Sequence, residues 1–291
     1  MPIEAIVQTI AKELRACPFL KGVVLGGSRA TGCATESSDI DVGLYYEGTI
    51  DYGQLNAIAQ RLDDAHRENL VCREGEWGNW VNCGGWLVIN GVHVDWILRD
   101  CARVKRILAS SETGQFSAHY QTGHPHAFLD VMYRGELACC KILYATDEEF
   151  AATKRQAERY PAALKRALAD FFSFESEFSC ALAEKSASSG DISYVTGHAF
   201  RAVSALNQVL FALNEQPYKL LGKHSAKVIL PCRAGIAFDP TIFACRHLRF
   251  IVAPARNGVS YHGMRISISF PFLQSKKNLP TTNAAKSSTV E

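Results

Sequence analysis

The sequence predicts an α+β fold with its strands in the N-terminal part and its long helices later, and three observations carry that reading. Residues 39–46 (DIDVGLYY) alternate acidic and apolar side chains with the period of a strand. Residues 86–97 set two apolar runs around Asn90-Gly91, the dipeptide that supplies the positive φ angles of a type I′ hairpin turn. From Ala127 the period becomes helical: Ala127–Tyr144, Ala162–Lys185 and Ile192–Leu213 are rich in Ala, Leu and Phe, and are bounded by Pro161, a Ser-rich stretch at 186–190 and Pro217.

The other elements follow in chain order. Ile3, Ile6, Val7, Ile10, Ala11 and Leu14 recur at helical spacing and predict an amphipathic opening helix. Leu20–Leu25 is short, apolar and β-branched, hence a strand, and it runs into the permissive turn Gly26-Gly27-Ser28. Asp51 is placed to cap a helix reaching towards His66, with Leu55, Ile58, Ala59 and Leu62 on one side. The expected organisation is a sheet-bearing domain over residues 1–120, a helical domain over 121–230, and an atypical segment over 231–291. That last segment has short β-like runs such as Arg265-Ile-Ser-Ile-Ser-Phe and a Ser/Thr/Asn/Lys-rich end, and is expected to be poorly ordered.

Composition narrows the class. The 291 residues are 47% hydrophobic and 21% charged, which supplies a sizeable core and excludes wholesale disorder. No run approaches the roughly 18 apolar residues of a membrane span, and the first residues lack the apolar stretch of a signal peptide. A cytoplasmic location and no membrane partner are the expectation. The ten cysteines are scattered, without the C-x-x-C pairs of zinc sites, and read as free thiols. The net charge of +2 hides an uneven distribution, because seven Lys/Arg and a single acid lie from Thr241 onward. A near-neutral body lacks the wide basic face expected of a nucleic-acid binder.

The chemistry concentrates in Gly27-Ser28 followed by Asp39-Ile40-Asp41. Carboxylates at i and i+2 of a strand leave the same face, where their mutual repulsion is costly unless a cation lies between them. Carboxylate oxygens are the hard ligands that Mg²⁺ prefers. A strand running through Gly-Gly-Ser into a helix start presents N–H groups and a hydroxyl suited to nucleotide phosphates. Asp95, on the second strand of the hairpin, can complete a three-carboxylate cluster of the kind that bridges two metal ions in nucleotidyl displacement.

Rival readings use the same residues. Asp39 and Asp41 could be a solvated edge strand and Gly26-Gly27-Ser28 only a turn. Gly27-x-x-x-x-Gly32 mimics a phosphate loop, but Cys33-Ala34 stand where Lys and Ser/Thr are required. Gly26-x-Ser28-x-Ala30 approximates the nucleophile elbow of a serine hydrolase, yet that leaves the three aspartates without a role. His124-Pro125-His126 could ligate a metal, but no third partner stands at a metal-site spacing.

Gly27-Ser28, Asp39, Asp41 and Asp95 together resemble the nucleotidyltransferase superfamily that shares the DNA polymerase β palm. Residues 75–86 (GEWGNWVNCGGW) and 94–100 (VDWILRD) further resemble a bacterial group distantly similar to the aminoglycoside and lincosamide nucleotidyltransferases. The resemblance covers roughly residues 1–220 and implies a small mixed sheet with flanking helices followed by an α-helical bundle. It also implies that Asp39, Asp41 and Asp95 are the catalytic, Mg²⁺-binding acids, with two ions, and that Gly27 and Ser28 hold the phosphates of an NTP, ATP being favoured. Arg29 is expected at the triphosphate, and Arg134 and Lys141, seven apart on one expected helix, are weaker candidates. Asp95 is the favoured proton acceptor and Glu76 the weaker one; Trp77, Trp80 and Trp86 read first as core and second as stacking residues.

The implied reaction moves a nucleoside monophosphate onto an acceptor hydroxyl, most simply on a small molecule. AMP transfer to a protein, transfer to tRNA ends, and a degenerate nucleotide-binding site are the alternatives.

Overall fold

A computed structural model describes residues 2–124, 126–187, 189–215, 249–252 and 266–269. Helix α1 (Ile3–Leu14) buries Ile6, Val7, Ile10, Ala11 and Leu14, the predicted stripe. Strand β1 (Leu20–Leu25) leads into the single turn α2 (Gly27–Ala30), and β2 (Ile40–Tyr46) begins one residue after Asp39. Helix α3 (Tyr52–Leu62) starts where predicted, because the Asp51 carboxylate accepts from the Gln54 N–H. Strands β3 (Cys83–Ile89) and β4 (Val92–Asp100) form the predicted hairpin, with Asn90 at φ 51° and Gly91 at φ 74°. The turn is fastened by Asp64, whose two carboxylate oxygens accept from the Asn90 and Gly91 N–H groups at 2.8 Å each.

The chain continues through α4 (Cys101–Glu112), capped by Asp100, and a two-stranded ribbon of β5 (Ala118–His119) and β6 (Phe128–Leu129). The helix expected over Ala127–Tyr144 is not formed as one element. It is β6, then the short helix α5 (Met132–Cys139), then strand β7 (Lys141–Ala145). Helix α5 buries residues all around its surface, so apolarity there reports burial more than period. Helices α6 (Glu148–Glu158), α7 (Ala162–Ala187) and α8 (Ile192–Leu213) follow, the last two close to their predicted spans. Strands β8 (Arg249–Val252) and β9 (Ile266–Ser269) pair with each other, and β9 falls on the predicted β-like run. The remainder of the 231–291 segment, whose poor order was expected, lies outside the described residues.

The main sheet has the order β3-β4-β2-β1-β7, with β2 and β4 parallel and every other neighbour antiparallel. It is therefore mixed, and β7 draws the chain beyond residue 120 back onto β1. One face of the sheet packs on α1 and α3 through Val23, Ile40, Val42, Leu44, Leu87, Val94, Trp96 and Leu98. The opposite face carries Val24 and Tyr45 into a second core with α4, α5, α6, α7 and α8. Even-numbered residues of β2 and β4 and odd-numbered residues of β3 take the first face, and this leaves Asp41 and Asp95 on the second face, at the end where α2 begins.

Among the described residues Cys17, Cys33, Cys72, Cys83, Cys101 and Cys140 are free thiols, and no helix is long and apolar enough to cross a membrane.

Candidate active site

The site grows from the strand register. Asp41 on β2 pairs directly with Asp95 on parallel β4, so their side chains leave the same face side by side. Asp39 is exposed and lies one residue before β2, on the side of the chain that alternation gives to Asp41. The Asp41 carboxyl is pushed up to about 6, first by burial, then by the charges of Asp95, Asp39 and Glu136, with Arg29 opposing them. Asp95 is raised as well, by burial and then by Asp39. The Asp41 and Asp95 carboxyls thus both feel the charge of Asp39 at one end of two interior strands.

Beside them the chain turns sharply. Gly26 N–H donates to the Asp41 carbonyl at 2.8 Å, which locks the end of β1 to β2. Gly27 has φ +56°, and a Cβ built on it would overlap Oδ2 of Asp41 and fall 2.5 Å from its Cγ. Only glycine serves there, for conformation and for space. Ser28 is half-buried in α2. Arg29 turns back: its Nε donates to the Asp39 carbonyl at 3.0 Å and its Nη2 to the Ser38 carbonyl. It clamps the loop that delivers Asp39.

The other sequence-predicted residues divide. Arg134 is 4% exposed and is spent on structure, donating to Ser111 Oγ at 2.7 Å, to Glu112 Oε1 at 2.8 Å and to the carbonyls of Leu108, Gln156 and Arg159. Lys141 is on β7 and exposed, so the expected pairing of these two on one helix does not exist. Glu76 is exposed and caps its own turn, accepting from the Arg73 N–H at 3.1 Å. Trp77 and Trp86 stack on each other with centroids 4.5 Å apart, and Trp86 is 61% exposed, outside any core. Trp80 stacks on His119 at 3.8 Å and borders Phe128 and Tyr133. His124 packs against Phe128, and burial lowers its imidazole below the usual range.

Three residues were not singled out by sequence. Arg99, on the same β4 face as Asp95, is 4% exposed and forms a bidentate pair with Glu136 of α5 at 2.7 and 2.8 Å. The pair ties the helical side to the sheet behind the aspartates, and Arg99 also lies over the Tyr133 ring at 4.9 Å. Gln121 is 4% exposed and clamps the Trp-rich loop, donating to the Trp77 carbonyl at 2.6 Å and accepting from Trp80 and Val81 N–H at 3.3 Å. The Arg99/Glu136 spacing of 37 residues carries no local signal.

Among the described residues no three His, Cys, Asp or Glu side chains are already gathered as a metal cage. What suits a hard cation is the donor chemistry: adjacent carboxylates whose charge is disfavoured until something positive joins them.

Residues 6–108 match the family model described as a nucleotidyltransferase domain, so this part of the chain is a nucleotidyltransferase domain. No curated protein matches the sequence. Among solved structures, the chain is similar to a nucleotidyltransferase-like protein from Exiguobacterium sibiricum, with 12% identity and a TM-score of 0.37, over 78% of this chain and 63% of that one. It thus spans less than two thirds of that protein's length. A cyclic dinucleotide synthase from Elizabethkingia meningoseptica, solved with GTP and Apcpp, is similar at 12% identity and a TM-score of 0.24, over 75% of this chain and 80% of that one.

Proposed function

We propose that the protein transfers a nucleoside monophosphate from an NTP, ATP being favoured, to a hydroxyl of a small molecule. The observation that supports this best is the direct pairing of Asp41 with Asp95 beside a glycine turn that admits no side chain. In the proposed reaction the acceptor oxygen forms a bond to the α-phosphorus, the bond from that phosphorus to the bridging oxygen breaks, and pyrophosphate leaves. Mg²⁺, as two ions, would be held by Asp39, Asp41 and Asp95 and would neutralise phosphate charge.

The backbone N–H groups at Gly27 and Ser28 face the polyphosphate on this reading. The four-residue α2 adds little dipole of its own, so the turn itself is the anion-binding feature. Arg29 serves the site by holding the Ser38 and Asp39 carbonyls, and with them the loop that carries the Asp39 carboxylate. Asp95 takes the acceptor proton, its basicity raised by burial and by Asp39.

The test is transfer of α-labelled ATP, GTP, CTP and UTP to a panel of hydroxyl acceptors with and without Mg²⁺, comparing wild type with Asp41→Asn and Asp95→Asn. Metal-dependent label transfer lost in both variants is expected. Metal-independent ester cleavage that requires Ser28 would overturn the reading in favour of a hydrolase, and label on the protein itself would favour AMP transfer to protein.

A further inference from the structure

We infer that His93 supplies a nitrogen ligand to one of the two cation positions, making it a mixed nitrogen–oxygen site that takes Mn²⁺ in preference to Mg²⁺; this rests on the nucleotidyl-transfer reading. His93 lies outside the carboxylate pattern that marks the site in sequence. The register carries the argument. Within β4, Val94, Trp96 and Leu98 enter the core with α1 and α3, so His93 leaves the opposite face, the one that carries Asp95. The Ile40–Val94 pair opens the parallel β2–β4 ladder, which puts Asp39 and His93, each one residue earlier, at the same level.

His93 thus has Asp95 two residues along its own strand and Asp39 level with it on the next. Residues i and i+2 of a strand start about 7 Å apart, and directly opposed residues about 5 Å apart. Side chains as long as histidine and aspartate converge on one ion across either gap. The Asp95 carboxyl is raised by burial and by Asp39, and the charge of His93 opposes them, which places the ring close by.

The ring is available. His93 is exposed, its backbone is fixed by pairing with Val88 on β3, and its imidazole makes no hydrogen bond among the described residues. Turning it toward a cation therefore breaks no existing bond. His119 and His124 are engaged instead, the first stacked on Trp80 and bonded to Ser117 at 2.8 Å, the second packed on Phe128.

Its strand separates a metal role from a phosphate role. Gly27 and α2 follow β1, on one side of β2, and His93 is on β4, on the other. An imidazole there stands away from the turn proposed to hold the phosphates and next to two acids proposed to hold a cation. Mg²⁺ favours a near-regular octahedron of oxygens, whereas imidazole is a ligand of transition ions. The carboxylates keep the mixed set hard enough for Mn²⁺.

Mn²⁺ binding to the full chain tests this with wild type, His93→Ala and His93→Gln. Electron spin-echo envelope modulation of the Mn²⁺-loaded protein detects a directly bound ring nitrogen without reference to turnover. Nitrogen modulation is expected in wild type and absent from both variants. By calorimetry, Mn²⁺ binding is expected to weaken on the order of 10-fold in His93→Ala, with Mg²⁺ binding changed less than about 2-fold. No nitrogen modulation in wild type overturns the inference, as does modulation that persists in either variant or an equal loss of Mn²⁺ and Mg²⁺ affinity. Circular dichroism checks that substitution at this exposed position leaves the fold intact. Calorimetry with α,β-methylene-ATP and Mg²⁺ separates the two readings: absence of binding to wild type would count against nucleotidyl transfer, while the nitrogen signal still decides the ligand.

Discussion

The Cβ that Gly27 lacks would occupy the space of the Asp41 carboxylate. The turn and the acid are thus one unit: the backbone conformation at φ +56° is what lets the carboxylate lie against the turn proposed to hold the phosphates. Gly27→Ala is expected to displace Asp41, with label transfer reduced at least ~100-fold, while the strain at positive φ costs about 1 kcal/mol of stability. Transfer assays alongside thermal denaturation check both halves.

Asp41 makes the metal-free fold pH-sensitive. Its carboxyl is raised to about 6 in the folded chain, against roughly 4 when unfolded. The protonated form favours folding, so the stabilisation is present below pH ~4 and is lost as pH rises through about 6. Asp41→Asn is therefore expected to stabilise the metal-free protein by about 1–2 kcal/mol at pH 7.5 and by little at pH 4, while abolishing transfer. Mg²⁺ is expected to raise the melting temperature of wild type and not of the variant.

Asp63 has the opposite sign. It is fully buried, accepts from Arg67 at 2.6 and 2.9 Å and from the Val88 N–H at 2.9 Å, and Arg67 above all holds its carboxyl well below the usual range. Its contribution is present above pH ~4 and is lost as pH falls below that value. Asp63→Ala is expected to cost about 2–4 kcal/mol at pH 7, because the Val88 N–H loses its partner, and to flatten the acid limb of the stability profile. Urea titrations at pH 3, 5 and 7 measure it.

The Arg99–Glu136 pair offers a test of how the helical side supports the sheet. Removing one partner leaves a buried charge alone, so Arg99→Ala is expected to cost about 3–5 kcal/mol, and Glu136→Gln less because Glu136 is the more exposed of the two. A double-mutant cycle by urea denaturation gives the coupling.

Arg29 separates positioning from substrate binding. If it acts through the Ser38 and Asp39 carbonyls, Arg29→Met weakens Mg²⁺ activation and lowers kcat with the KM for NTP little changed. A dominant rise in the KM for NTP would instead place its guanidinium on the triphosphate.

Local sequence determined the opening helix, the Asp51 cap, the Asn90-Gly91 hairpin, the two long helices and the acidic alternation at Asp39–Asp41, because each is written in periodicity or in a turn residue with one cheap conformation. The carboxylates and the glycine turn were legible for the same reason. Register was not: that Asp41, Asp95 and Trp86 stand in one row depends on pairing between strands 54 residues apart in sequence and on the hairpin that brings β3 alongside β4. The same holds for α5, where an apolar stretch enclosed on all sides loses its period, for β7, which pairs with a strand near the start of the chain, and for Arg99 with Glu136 and Gln121 with the Trp loop, whose hydrogen bonds join groups remote in the chain. Tertiary packing decided these, since a buried polar group finds its partner by proximity in space and leaves no spacing to read.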